Sequence, residues 1–421
     1  MSELPLSDVR VLDLTRLLPG GFCSLLLADL GAEVLKVEDT GMGDYVRWAP
    51  PYYGSEEQNA LGTRSALYLA LNRGKRSVRL DLKQEAGRAA LLRLVENHDV
   101  VLDGFRPGVL DRLGVGYERM RGANPRIVYC AITGYGQDGP YASRAGHDIN
   151  YLGLVGLLGL TGTAAGPPVQ SAGQIADLGG GALMAAVGVL AALHERQRSG
   201  LGQAVDVSMA DGALSWLAMV AGRYFCDGEV PRRGDGQLSG GILCYLPYEA
   251  ADGWVSCGAL EPKFWASFCE GVDRPNLVEA QFQPPGSDAW REVAAVFRSR
   301  TREEWRAFND KRDCCIEPIL DLDEALDSAL VRERGMVVEV DQPELGPVRQ
   351  LGLPLKLDRT PGDPTRPAPA FGEHTEEALR EAGYSAEEVA VLLCAGAAAG
   401  PAAGPGAAAG PGAAGAVEFR A

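Results

Sequence analysis

Two side chains suited to proton transfer stand at the beginnings of apolar segments in this 421-residue sequence. His147 follows Gly146 and precedes Asp148 and an apolar stretch, and histidine is the natural acid or base near neutral pH. Asp177 opens a second apolar segment, where the positive end of a helix dipole would keep its carboxylate ionised at neutral pH. Ordinary roles stay open for both, because His147 could simply hydrogen-bond at a helix start and Asp177 could be an N-cap.

Glycines and a third carboxylate add to this pattern. Residues 179–181 are three consecutive glycines just after Asp177, and they would let a ligand or another backbone approach closely. Glu261 precedes Pro262 at a predicted helix start, where an N-cap is again the alternative. These carboxylates therefore remain candidates for acid–base work and for helix capping alike.

A group of basic residues follows the predicted strand ends. In a chain of net charge −16, cations gathered in this way are typical of a polyphosphate site, although solvated surface charges are the alternative. The group and the glycine beside it comprise Arg73, Lys75, Arg76, Lys83, Gly104, Arg106 and Arg112.

Alternating strand and helix patterns must position these residues. Short β-rich runs at 9–14, 32–38, 76–82, 99–103, 126–133 and 204–209 alternate with apolar helical patterns at 22–30, 84–97 and 177–198. We expect a turn at residues 17–21. The pattern predicts the α/β class, with a parallel sheet and right-handed crossovers. A GxGxxG fingerprint is absent from the β-α-β unit that opens the chain, so a dinucleotide site is not supported.

The pattern predicts four segments. Residues 1–220 form the first part of a large α/β domain, and 225–335 form a smaller domain with a hairpin around 251–253 and three helices. Residues 340–394 return to the large domain through an extended Pro-rich stretch and two helices, the second with a capping box at Ser385 and Glu388. The Ala/Gly/Pro composition of 395–421 predicts a disordered tail.

Composition narrows the functional classes. A net charge of −16 argues against nucleic acid or an anionic membrane as a partner. The uncharged run at 178–193 is shorter than the roughly 20 residues of a spanning helix, so we expect a buried helix. The start lacks a secretory pattern, and nine cysteines without CxxC indicate reduced thiols in a cytoplasmic protein. With four histidines and no HExxH, a zinc site is not expected.

These clusters, with LTRLLPG near the start and KVE after it, resemble the family III CoA-transferase superfamily over residues 5–393. The stretch AGHDINYLGLVGLLGLTG, with LEPKFW, DCCIEPIL and GEHTEEALREAGYS, is similar to the alpha-methylacyl-CoA racemase branch. The resemblance implies a large Rossmann-like α/β domain and a smaller α+β domain in an interlocked homodimer. Its active site would lie between the large domain of one subunit and the small domain of the other.

The resemblance also implies a role for each candidate. His147 and Asp177 match the two catalytic bases, Glu261 matches the carboxylate that supports the histidine, and backbone N–H groups near Asp148 would hold the enolate oxygen. The CoA-binding positions would be Arg73, Lys75, Arg76, Lys83, Gly104, Arg106 and Arg112. One position departs from the pattern, because Asp39 stands where relatives carry an arginine against the adenine.

We therefore predict a racemase or epimerase acting on 2-methylacyl-CoA thioesters by two-base proton transfer. It needs no cofactor, because CoA is part of the substrate, and its partners are the acyl-CoA and a second copy of the chain. One alternative is a CoA-transferase with Asp177 as the nucleophile. The other is an acyl-CoA-binding protein without catalysis.

Overall fold

The computed structural model describes residues 4–401, which divide into two compact units. The large unit comprises residues 4–151, 173–213 and 330–401, and the small unit comprises Leu152–Ala172 and Leu214–Ala329. The sequence pattern placed 152–172 in the large domain. This segment is held in the small unit because the Arg233 guanidinium donates to the backbone carbonyls of Gly159, Thr163 and Gly166.

Twelve strands are present in the described residues. They are β1 Arg10–Asp13, β2 Glu33–Glu38, β3 Arg76–Leu80, β4 Val100–Asp103, β5 Val128–Thr133, β6 Ala204–Ser208, β7 Tyr245–Ala250, β8 Gly253–Gly258, β9 Ile316–Ile319, β10 Val337–Gln342, β11 Gly346–Leu351 and β12 Ala398–Ala399.

Seventeen α-helices are present in the same residues. They are α1 Leu17–Asp29, α2 Ala66–Asn72, α3 Glu85–Val95, α4 Val109–Arg112, α5 Tyr117–Ala123, α6 Asp148–Leu154, α7 Leu157–Leu160, α8 Met184–Ser199, α9 Met209–Ser215, α10 Ala218–Asp227, α11 Pro262–Gly271, α12 Asp288–Arg298, α13 Arg302–Arg312, α14 Leu322–Leu326, α15 Ala329–Glu333, α16 Thr375–Glu381 and α17 Ala386–Cys394. A π-helix, Ile175–Leu183, leads directly into α8.

The large unit is built on a seven-stranded sheet in the order β12-β3-β2-β1-β4-β5-β6. In this order, each strand from β3 to β6 is parallel to its neighbours within that range, as the alternating pattern predicts. Strands β1, β3, β4 and β5 are almost wholly buried because their Val, Leu and Ile side chains are covered by helices. The predicted α/β class is confirmed. Parallel order also brings the strand ends of β1, β2, β3 and β4 to one edge.

One local prediction is wrong. Helix α1 begins at Leu17 and so takes in residues 17–21, expected to be a turn. Pro19 fits the first helical turn, where its missing N–H costs nothing, and Gly20 lies against the side chain of Thr15. The Pro-rich stretch, expected to be extended, contains the strand β11, which pairs with β10 as a two-stranded hairpin where proline is tolerated at the edge.

The beginning of the predicted disordered tail is also ordered. Ala398 and Ala399 form β12, antiparallel to β3, and the carbonyl of Ala397 accepts from the N–H of Asp81 at 2.9 Å. Ala397 and Ala398 are buried, because small side chains fit at this edge of the sheet. Residues 402–421 of the predicted tail lie outside the described residues.

The small unit has an antiparallel sheet in the order β7-β8-β9, with the predicted hairpin joining β7 and β8. Its core is aromatic: Phe268 and Phe297 stack with centroids 5.2 Å apart, beside buried Trp265 and Trp305. Such rings bury large apolar areas and favour these offset contacts.

The continuous helical segment Ile175–Ser199 is long and apolar enough to cross a membrane. Of its most apolar window, 44% is buried in the protein, and the core helix of a folded unit passes the same test. Val189 and Ala192 are buried, whereas Val187 is 62% exposed. The helix is therefore partly a core helix, as predicted, and partly an exposed apolar face.

Candidate active site

His147 is the last residue before α6. The hydroxyl of buried Tyr151 donates to the carbonyl of Gly146 at 2.6 Å, and the N–H of His147 donates to Oδ1 of Asn150 at 3.0 Å. Gly146 must be glycine here, because an added Cβ would lie 2.7 Å from the Tyr151 ring. These contacts fix the backbone of His147 and leave its imidazole exposed at the start of the helix.

Asp177 lies in the first turn of the π-helix. The glycines after it let the π-helix pack closely against the backbone of α9, because an added Cβ at Gly180 would lie 2.5 Å from the carbonyl oxygen of Met209. The N-cap position belongs to Gln174, so the interpretation of Asp177 as an N-cap is wrong. A π-helix is rare and occurs frequently at functional sites.

The carboxylate of Asp148 connects the two segments. Its Oδ1 accepts from the backbone N–H of Ala176 at 2.6 Å and from that of Asp177 at 3.0 Å. Its Oδ2 is buried and has no hydrogen-bond partner among residues 4–401. Asp148, which lies in α6, therefore supplies the hydrogen-bond acceptor for the N–H groups at the start of the π-helix.

The pKa of Asp177 is raised to about 6, mainly by burial and also by the charge of Asp148, while the charge of His147 acts to lower it. The helix start does not lower this pKa as expected, because burial of the side chain raises it and the N–H groups of Ala176 and Asp177 bind Asp148 instead. A carboxyl with this pKa is still mainly ionised at pH 7 and is basic enough to accept a proton. His147 and Asp177 thus lie within electrostatic reach of each other in the large unit.

Glu261 belongs to the small unit, at the N-cap of α11 ahead of Pro262. Its side chain is exposed and makes no capping hydrogen bond in the described part of the chain. The carboxylate is therefore not used for helix capping, the alternative role that the sequence left open for Glu261. Its charge contributes to raising the pKa of Cys315, mainly raised by burial.

A cavity of about 700 Å³ opens in the large unit at the ends of β1, β2 and β3. Of the predicted CoA-binding residues, Lys83 and Arg112 line it, together with the apolar side chains of Leu14 and Phe105. Two cations beside apolar walls suit a ligand with phosphates and a planar base.

Sequence reasoning missed a third cation of this cavity, Arg16. Its guanidinium pairs with Asp39 at 2.6 Å, donates to the Tyr45 hydroxyl at 3.0 Å and lies over the Tyr45 ring. The signal was present, because Arg16 stands in the LTRLLPG motif. Asp39 also accepts from the N–H groups of Gly41 and Gly43, so it orders the cavity wall.

Arg73, Lys75 and Arg76 are absent from the cavity lining within residues 4–401. Arg73 pairs with Asp29 at 2.6 Å in the interior, and buried Lys75 contacts Asp13 and Asn72. Arg76 is paired with Glu33 and two acidic residues of α16. Internal contacts thus occupy all three cations.

Gly104 and Arg106 also lie outside that lining. Gly104 packs against Thr15, and Arg106 is exposed, with a charge that lowers the pKa of Tyr151 against the larger effect of burial. Arg106 is therefore near α6, the helix that follows His147.

Comparison with known proteins gives a consistent result. The sequence model of CoA-transferase family III matches residues 6–375. The chain is 38% identical over 396 residues to the alpha-methylacyl-CoA racemase of Mus musculus, covering 92% of this chain and 96% of the relative. It is 36% identical over 393 residues to the succinyl-CoA:mesaconate CoA-transferase of Haloarcula hispanica, covering 90% and 96%. A solved CAIB/BAIF family protein from Brucella suis superposes with a TM-score of 0.77 at 30% identity, covering 90% of this chain and 100% of that one.

Proposed function

The chain belongs to CoA-transferase family III, and from that premise we propose that it is an acyl-CoA racemase inverting the 2-methyl centre of a 2-methylacyl-CoA thioester. The observation that carries this proposal is the pairing of two different bases, His147 and Asp177, at the starts of two helices joined by Asp148. Asp177 is a half-buried carboxylate with a pKa of about 6, and imidazole is the side chain best suited to acid–base work near neutral pH.

Inversion needs one base on each face of the carbon that reacts. Ionised Asp177 removes the proton next to the thioester carbonyl, and protonated His147 returns one from the opposite face; the reverse reaction exchanges their roles. The enolate oxygen formed between these steps needs hydrogen-bond donors. The backbone N–H of Asp148 stands at the first position of α6 and has no acceptor among the described residues, so it is available for this oxygen.

CoA binding in the 700 Å³ cavity is part of the proposal. Lys83, Arg112 and Arg16 would meet the phosphates and base, with Arg106 nearer the acyl end beside α6. In the reaction one side chain takes a proton from C2 of the substrate and the other gives one back, so we propose that it proceeds without an added cofactor. Nine free thiols support a cytoplasmic location, and the net charge of −16 supports neither a nucleic-acid nor a membrane partner.

We further propose a homodimer in which Glu261 of one copy supports His147 of the other. The support comes from an exposed apolar stripe on the π-helix and α8, which a second copy would cover. It comprises Leu183, Met184, Val187 and Leu190. A free carboxylate on the small unit, uncommitted to capping, is what an orienting partner for an imidazole requires.

A CoA-transferase remains the competing function, because a relative at 36% identity carries that name. In that reaction Asp177 would attack the thioester carbonyl, form an acyl anhydride and then hold CoA as a thioester. His147 argues against this route, because transfer requires no second base. Incubation with acyl-CoA and borohydride would reduce such an Asp177 thioester to a trapped product, whereas a racemase or a non-catalytic binder leaves Asp177 unmodified.

The proposal is tested by incubating the protein with a single (2R)-2-methylacyl-CoA epimer in deuterated water. We expect deuterium at C2 and accumulation of both epimers. Absence of exchange across a panel of acyl chain lengths would refute the racemase. Tight CoA-ester binding without exchange or trapping would instead indicate a binding protein.

A further inference from the structure

The side chain of Asp148 is buried beside both bases. Only 2% of this residue is exposed, and Oδ1 holds the N–H groups of Ala176 and Asp177 at 2.6 and 3.0 Å. Oδ2 is also buried and finds no donor in the part of the chain that the structure describes. A buried carboxylate oxygen without a donor is costly, so its retention calls for a function.

The geometry has an electrostatic consequence for Asp177. Two N–H groups that could stabilise an anion at the start of the π-helix are bound by Asp148, and its negative charge lies beside the Asp177 carboxylate. Burial is the largest effect that disfavours ionisation of Asp177, and these two effects of Asp148 add to it, so the carboxylate is a stronger base.

Other charged and titratable groups of the large unit also interact with Asp177. His147 lowers the pKa of Asp177. Burial and, next, the Asp177 charge raise the pKa of Tyr151 to about 12, and Arg106 partly offsets this effect. Asp148 is thus the carboxylate that opposes ionisation of Asp177, while His147 favours it.

We propose that the Asp148 side chain is a positioning residue that fixes the backbone of Asp177 and sets the basicity of its carboxylate for proton transfer. This inference rests on the proposed function, since it takes Asp177 as a general base. It adds a role for the side chain to the role of the Asp148 backbone N–H. A base works best when its pKa is close to the working pH, and removal of the Asp148 charge should make Asp177 too weak a base.

Asp148→Asn tests the inference because the amide keeps an acceptor oxygen and the shape but removes the charge. In the pH profile of kcat/KM for deuterium exchange, the acid limb should move to lower pH by about one unit and the plateau should be lower. Asp138→Asn is the matched control, because Asp138 is exposed in the loop after β5, and its profile should be unchanged. An unshifted limb in Asp148→Asn would overturn the inference.

A readout independent of activity separates this inference from the proposed function. The titration of the Asp177 carboxyl is followed by ¹³C NMR in protein labelled at aspartate, with the signal assigned by its loss in Asp177→Asn. A lower midpoint in Asp148→Asn supports the inference even when the protein turns over no acyl-CoA, which would refute only the racemase. An unchanged midpoint refutes the inference while exchange activity stands. Asp148→Ser, which keeps a capping oxygen, gives the same comparison if the amide variant does not fold.

Discussion

The guanidinium of Arg47 is fully buried and meets the carboxylate of Glu38 through two parallel hydrogen bonds of 2.6 and 2.7 Å. Ser77 donates to the same carboxylate, and Arg47 also donates to the carbonyls of Gly62 and Pro369. Glu38 ends β2 and lines the large cavity. The pair thus joins the sheet to the loop that forms one wall of the cavity.

Glu38→Gln should be strongly destabilising because it leaves the Arg47 charge buried without its counterion. Breaking a buried pair by removal of one partner costs about 3–5 kcal/mol of unfolding free energy. Urea denaturation measures this loss. The matched control is Glu33→Gln, whose ion pairs with Arg10 and Arg76 are partly exposed and should contribute under about 1 kcal/mol. Equal losses in the two variants would contradict this account of the interior pair.

Acid should unfold the protein through its buried ionised carboxylates. Burial alone would raise the pKa of Glu38, but Arg47 lowers it to about 2; Lys36 and Lys75 do the same for buried Asp13. Both values lie below the roughly 4 of the unfolded chain, so the stability is present above pH ~4 and is lost as the pH falls towards 2. Urea midpoints measured from pH 5 to pH 2 should fall in that window. Midpoints independent of pH there would contradict the assigned direction.

Lys83→Ala and Arg112→Ala should each weaken CoA binding, because both cations line the cavity. Loss of one charge-assisted contact to a phosphate costs about 1.5–3 kcal/mol, or roughly ten- to a hundredfold in the dissociation constant. Calorimetric titration with CoA provides the measurement. Arg119→Ala, an exposed arginine of α5 outside the cavity lining, is the control and should bind like the parent. Unchanged affinity in both cavity variants would place the nucleotide elsewhere.

Glu261→Gln should lower kcat for exchange without abolishing it, since the imidazole of His147 would lose an orienting charge but remain in place. The loss should be smaller than that of His147→Ala. Glu279→Gln changes another exposed carboxylate of the small unit and should have no effect. Parent-like rates in Glu261→Gln would remove Glu261 from the site.

The sequence predicted the parallel sheet because runs such as those of β4 and β5 are short, apolar and spaced by helical patterns. It could not separate buried cations from ligand-binding ones. Arg73 forms an ion pair with Asp29, a residue 44 positions away, and no local sequence pattern reveals such a pair. Ala398 and Ala399 have the composition of a disordered tail and yet pair with β3, because tertiary contacts outweigh weak strand propensity.

The site shows the same division between local and tertiary information. Residue type and context were enough to propose His147 and Asp177 as partners, and the structure places them within electrostatic reach. The raised pKa of Asp177 could not be predicted from the sequence, because it comes mainly from burial and in part from the Asp148 carboxylate, which reaches the π-helix from 29 residues away. Arg16 was overlooked although it stands in the LTRLLPG motif, because the contacts with Asp39 and Tyr45 that place it at the cavity arise only on folding.

The most direct test of the two-base mechanism is directional deuterium exchange with the separate (2R) and (2S) epimers. His147→Ala should lose exchange of the epimer whose proton histidine removes, while Asp177 still exchanges the other; Asp177→Asn should show the converse. Asp138→Asn should exchange both epimers at the parent rate, as the loop control. The result is read as deuterium at C2 of each starting epimer by mass spectrometry. Opposite losses in the two variants are the predicted result, and equal, complete loss with both epimers or full racemisation in either variant would contradict it.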